Sequence, residues 1–118
     1  MNPTLAQRLA ALAGFLAVAL GAFGAHGLQP VLEKNGTLAT WHTAALYHLV
    51  HAVVLLVLAQ KAAVARVPFV LFGAGIVIFS GSLYTLALTN VKWLGAITPL
   101  GGVGLLAGWL ALAWKPRA

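Results

Sequence analysis

The chain has no cysteine, a single acidic side chain, and charge at only 7% of its residues. Without cysteine there is no disulfide, no thiolate metal site and no sulfur nucleophile. With Glu33 as the only carboxylate side chain, paired-carboxylate chemistry is excluded. A Ser80–His48 dyad can be drawn, but no acid completes a triad. No phosphate-cradling or dinucleotide-binding glycine motif occurs. The expectation is a non-enzymatic protein.

A soluble domain carries about 25% charged residues, so this chain cannot cover a water-facing surface. What it has instead is 62% hydrophobic residues and a mean hydropathy of +0.99. Such a chain is stable only when lipid solvates most of its exterior. The net charge of +6 comes from scattered cations: Arg8, Lys34, Lys61, Arg66, Lys92, Lys115 and Arg117. They form no basic face interleaved with aromatics, which argues against nucleic acid as a partner. They fall at the ends of the apolar runs, where cations anchor and orient helices.

At 118 residues the chain reads as one domain. Uncharged stretches cover residues 9–32, 35–60, 67–91 and 93–114. Each exceeds the roughly 20 residues needed to cross a bilayer. The expected fold is all-α: a compact bundle of four transmembrane helices over 5–26, 38–60, 67–89 and 94–114. The first span is longer than a signal-peptide core and reads as retained. Pro30 can start a short helical turn in the first loop, and Asn35-Gly36 marks a turn after it. Thr37 or Thr40 is placed to cap the second span. Pro99 is either a first-turn residue or a mild kink in the fourth.

Four spans put both termini on one side, with Arg8, Lys61, Arg66, Lys115 and Arg117; Lys34 and Lys92 lie on the other. Five cations against two place the termini in the cytoplasm of a bacterial inner membrane. Trp41, Trp93, Trp109 and Trp114 read as interfacial anchors. Small-residue faces run along the first span (Ala10, Gly14, Ala17, Gly21, Gly24) and the fourth (Gly101, Gly104, Gly108, Ala111). They serve close packing within the bundle or between copies. Gly14/Gly21 and Gly101/Gly104/Gly108 are therefore candidate homo-oligomer faces. Other membrane subunits are alternative partners, beside the lipid bilayer itself.

Ionisable groups within membrane spans are rare and point to function. His48 and His51 share one face of the second span, roughly 10 and 15 Å deep at 1.5 Å per residue. Half of the bundle collects the polar side chains: His26, Tyr47, His48, His51, Ser80, Ser82, Tyr84, Thr85 and Thr98. By the cation count this is the outer half. Three readings compete for it. Neutral histidines can hydrogen-bond between helices. His26, His48 and His51 can ligate a metal or haem, since imidazole suits Zn, Cu, Ni and Fe. Or the cluster lines an outward-facing pocket for a small ligand or lipid headgroup, where an imidazole can also act as a proton switch.

Four ordered strings carry a resemblance: Phe23-Gly-Ala-His-Gly-Leu28; Trp41-x-Thr43-Ala44-x-x-Tyr47-His48-x-x-His51; Phe79-Ser-Gly-Ser-Leu-Tyr84; and Leu94-Gly-x-Ile-Thr-Pro-Leu-Gly-Gly102. Over essentially the whole chain it resembles the family catalogued as domain of unknown function 423, which includes the animal transmembrane protein 256. The resemblance implies a four-helix membrane protein and no established activity. Its strings fall on the candidate residues His26, Tyr47, His48, His51, Ser80, Ser82, Tyr84 and Thr98, and on Pro99.

Overall fold

Each long apolar run forms a helix because, in lipid, every backbone N–H and C=O must find a partner within the segment. A computed structural model describes residues 1–115. Arg117, counted above among the terminal-side cations, lies outside the described residues. The helices are α1 (Pro3–Ala25), α2 (Gln29–Asn35), α3 (Leu38–Ala59), α4 (Arg66–Thr89) and α5 (Thr98–Trp114). A 3-10 segment, Lys92–Ala96, precedes α5. Four helical segments are long and apolar enough to cross a membrane, the last running from Lys92 to Trp114.

Local chemistry sets the ends. The Asn2 side chain accepts from the Thr4 and Leu5 amides, so α1 begins two residues before the expected start. Gly36 and Asn90 close α2 and α4 in the left-handed region, with φ of 68° and 59°. Pro99 stands in the first turn of α5 and kinks nothing. Its missing N–H is harmless there, and the expected fourth span divides into 3-10 and α segments just before it.

The helices pack as a folded chain of neighbours: α1 on α3, α3 on α4, α4 on α5. Among the described residues α1 makes no backbone approach to α4 or α5. The bundle is therefore open on the side where α1 and α4 flank α3. Two apolar clusters hold it. One, near the chain ends, joins Ala6, Ala10, Leu55, Phe69, Phe72, Ile76 and Leu105. The other, beneath α2, joins Leu32, Trp41, Ala44, Tyr84 and Ala87. The buried His48, His51 and Ser80 sit along α3 and α4 between the residues of these clusters.

The glycines of α5 are consumed inside the chain. A Cβ at Gly101 would collide with the Phe79 backbone, and one at Gly108 would lie 2.7 Å from Phe72 Cε1. Gly104 approaches Gly75. This candidate oligomer face is thus a contact with α4. On α1 the face divides: Ala10, Ala17 and Gly24 are buried, whereas Gly14 and Gly21 have nothing within 4 Å of an added Cβ.

Candidate functional site

The i,i+3 spacing of His48 and His51 sets them about 60° apart around α3, and that angle sends them to different neighbours. His48 turns toward α4, where its Nδ1 lies 2.9 Å from the Tyr84 hydroxyl. Ser80, one turn before Tyr84, donates to the Ala44 carbonyl at 2.8 Å. Two side-chain links therefore join α3 to α4 within this span of one helical turn.

His51 turns the other way. Its Nδ1–H donates to the Tyr47 carbonyl at 2.7 Å, and its Nε2 accepts from the Trp109 indole N–H on α5 at 3.1 Å. A carbonyl cannot donate and an indole cannot accept. The pair of contacts therefore fixes a neutral imidazole with its proton on Nδ1. Phe72 packs against both rings, 5.6 Å from His51 and 5.3 Å from Trp109.

Of the other candidates only Tyr47 stays beside them, its ring stacked on His51 with centroids 6.1 Å apart. Tyr47 is 43% exposed, its ring tilted against Phe79 at 4.9 Å. With Leu46, Val50 and His51 it lines a shallow depression of about 210 Å³ on the α5 side of α3. Ser82 and Thr98 meet at 2.6 Å across α4 and the start of α5. Thr85 donates to a carbonyl of its own helix. His26 is exposed at the end of α1. The polar side chains thus form no single cluster: His48, Ser80 and Tyr84 line one cavity, and the rest stand elsewhere.

Among the described residues no three His, Cys, Asp or Glu side chains gather closely enough to hold a metal ion. His26, His48 and His51 are not brought together, and both nitrogens of His51 are already engaged. No buried side-chain nitrogen or oxygen among the described residues lacks a hydrogen-bond partner.

Two tryptophans read as interfacial anchors have other roles. Trp41 is 1% exposed. Its indole lies over Gly24, where a Cβ would collide with it, and donates to the Leu20 carbonyl at 2.8 Å. Its ring also packs on Tyr84 at 4.7 Å. Trp109 is the His51 partner. Trp109 is 47% exposed and stands five residues before the end of α5, about 8 Å from it at 1.5 Å per residue, so depth along the helix does not set it apart from an interfacial anchor. Thr37, one of the two residues placed to cap α3, holds the N-cap position but its side chain makes no capping bond. Its hydroxyl donates to the Ala87 carbonyl at 2.7 Å, joined there by Asn35 Nδ2 at 3.0 Å.

An apolar cavity lies in the open side of the bundle. It is a groove of about 460 Å³ between α1 and α4, above α3. Leu9, Leu12, Leu16 and Leu20 form one wall; Gly73, Val77, Gly81 and Tyr84 form the other. His48 and Ser80 line its more polar end.

The model for the family described as "Protein of unknown function (DUF423)" matches residues 20–102. The chain is 46% identical over 111 residues to the UPF0382 membrane protein YwdK of Bacillus subtilis, covering 88% of this chain and 89% of that protein. It is 43% identical to the UPF0382 membrane protein SAB0533 of Staphylococcus aureus, over 88% of each. A UPF0382 membrane protein of Haemophilus influenzae is 42% identical, over 90% of this chain and 88% of its own length. No solved structure matches the chain significantly.

Proposed function

The chain belongs to the DUF423 family of small multi-pass membrane proteins, and from that premise we propose that it is a non-enzymatic lipid-binding protein. The groove between α1 and α4 holds one chain of a lipid or a similarly apolar molecule. His48 and Tyr84 form the polar contact at one end of it.

The single observation that carries this reading is the gap itself. Two helices flank a third without close approach of their backbones, and the space left is about 460 Å³ with a largely aliphatic lining. Ligand sites run from about 300 to 1,000 Å³ and combine apolar walls with a few placed polar groups. Gly73 and Gly81 support it further, since an added Cβ at either meets nothing within 4 Å. Open glycines along one wall keep the groove wide. The polar groups elsewhere favour scaffold over catalysis, because they are tied between helices. The metal or haem reading has less support, with His51 saturated by Tyr47 and Trp109. On this reading the α2 end faces outward and the chain ends lie in the cytoplasm.

Native mass spectrometry of protein extracted in mild detergent tests the groove. The wild type is expected to retain a lipid-mass adduct. Gly73→Leu and Gly81→Leu place a side chain in the groove from positions where a Cβ meets nothing within 4 Å, and each is expected to lose the adduct while keeping its helicity. Adduct retained equally by both filled variants, or absent from the wild type, overturns the reading.

A further inference from the structure

A second cavity, of about 510 Å³, opens at the end of the molecule that carries the 60–65 connection and the start of α1. It lies between the first turns of α1 and the end of α3, lined by Thr4, Gln7, Arg8, Gln60 and Lys61 beside small apolar residues. It lies away from the α1–α4 groove and shares no lining residue with it. We propose that this cleft binds the phosphate of an anionic lipid headgroup.

Charge carries the first step. Arg8 and Lys61 face one cleft, and no acidic side chain stands near to neutralise them. The only one in the chain is Glu33, which lies on α2 and accepts from Gln29 Nε2 at 3.1 Å. The cleft therefore concentrates positive potential with nothing of its own to receive it.

Donor chemistry carries the second. A guanidinium offers a planar fork that fits two phosphate oxygens, and an ammonium adds a compact point charge. Thr4, Gln7 and Gln60 supply neutral polar groups around them. Gln60 Nε2 donates to the Leu56 carbonyl at 3.1 Å and lies 3.5 Å from Gln7 Oε1. That contact draws the α1 and α3 walls together behind the cations.

Depth carries the third. Arg8 immediately precedes the uncharged run 9–32, and Lys61 immediately follows the run 35–60. Both stand where a span leaves the hydrocarbon, at headgroup level. Basic pockets between transmembrane helices on the cytoplasmic face recognise anionic headgroups. Free inorganic phosphate shares the chemistry but not this depth.

A second cleft at the same end provides a matched control. It holds Arg66 and Lys115, but its other walls are Ala65, Val67, Pro68, Ala111 and Trp114. It has the same charge and lacks the neutral donors.

The test is native mass spectrometry of the full chain in neutral detergent, titrated separately with phosphatidylglycerol, phosphatidylcholine and inorganic phosphate. Phosphatidylglycerol is expected to bind in preference to phosphatidylcholine. Arg8→Gln and Lys61→Gln should each weaken it about fivefold, and Arg8→Lys, which keeps the charge but loses the planar fork, should recover only part of the loss. Arg66→Gln with Lys115→Gln should leave it within about twofold. Circular dichroism on each variant separates lost binding from lost structure, and Lys61→Gln alone carries the test where Arg8→Gln unfolds. Equal binding of the two lipids overturns the proposal, as does equal weakening by the control pair. Inorganic phosphate filling the site while phosphatidylglycerol does not overturns the lipid source.

Discussion

Trp109 on α5 donates its indole proton to His51 on α3 at 3.1 Å, although the backbones of those two helices make no direct approach. The bond spans the flank of α4, with Phe72 of α4 packed against both rings. It is the named side-chain hydrogen bond that joins the fourth span to the second. The fixed tautomer makes His51 an acceptor toward Trp109, so removing the donor leaves a lone pair in an apolar setting.

Trp109→Phe is expected to keep most of the aromatic packing and to destabilise the protein by about 1 kcal/mol, between the average of roughly 0.6 and the maximum of about 1.7 measured for such bonds in membranes. A double-mutant cycle with His51→Leu, followed by unfolding in mixed micelles, isolates the pair. A coupling energy indistinguishable from zero would remove the bond as a determinant of α5 position.

Tyr84→Phe isolates the hydroxyl that meets His48, because the ring contact with Trp41 at 4.7 Å remains. The expected loss is again about 1 kcal/mol. Ser80→Ala removes the adjacent link to the Ala44 carbonyl and should add to it less than fully, since neighbouring contacts couple. The measurement is the same micellar unfolding assay, and strict additivity would show that the two links act independently.

The four spans were legible in the sequence because lipid imposes one rule, a long uncharged run, and this chain obeys it at every span. The segregation of polar residues to one half was legible for the same reason, through depth counted along each helix. What could not be read was direction around the helix axis. His48 and His51 share a face to within 60°, yet one meets α4 and the other α5, because the helices form an open row and not a closed ring. Trp41 shows the same limit. Its place near a helix end fits an interfacial anchor, and only the bare surface at Gly24 shows why it is buried. The conflicting uses of Thr37 were equally hidden: a capping position names the residue but not the distant carbonyl that takes its proton.

Glycine substitutions separate filled contacts from open ones. Gly24→Ala pushes a methyl into the Trp41 indole and displaces the donor to Leu20. Overpacking of this kind costs about 1–3 kcal/mol, and the lost hydrogen bond adds to it. Gly14→Ala and Gly21→Ala meet open space and should be neutral or stabilising by up to about 1 kcal/mol from helix propensity. Thermal unfolding of the three variants checks the order. A Gly24→Ala protein as stable as Gly14→Ala would contradict the placement of Trp41.

The cation count predicts an orientation, and labelling checks it. Cysteines introduced at Lys34 and Lys61, in a chain with none of its own, are expected to react from opposite sides of the membrane. Residue 34 should react with an impermeant maleimide in intact cells, and residue 61 only after permeabilisation. The reverse pattern overturns the cytoplasmic placement of the termini and with it the leaflet assigned to the Arg8–Lys61 cleft.

The end of α4 is capped from another segment. Its last carbonyls have no intrahelical partner, and the Ala87 carbonyl instead accepts from Thr37 Oγ1 at 2.7 Å and Asn35 Nδ2 at 3.0 Å. Asn35 also reaches the Leu88 carbonyl at 3.2 Å. Thr37 is 2% exposed, so water cannot readily replace it. Thr37→Val, which keeps shape and removes the donor, is expected to cost about 1–2 kcal/mol, and Asn35→Ala somewhat less because its amide is only half-buried. The double variant should release the last turn of α4 and loosen α2 against it, since Leu32 is the apolar contact of α2 in that cluster. Hydrogen exchange reads this directly: faster exchange at the Asn90 amide, which bonds the Leu86 carbonyl at 2.7 Å, with the middle of α4 unchanged. Uniform acceleration along α4, or none at Asn90, would show that the helix end is held by something other than these two side chains.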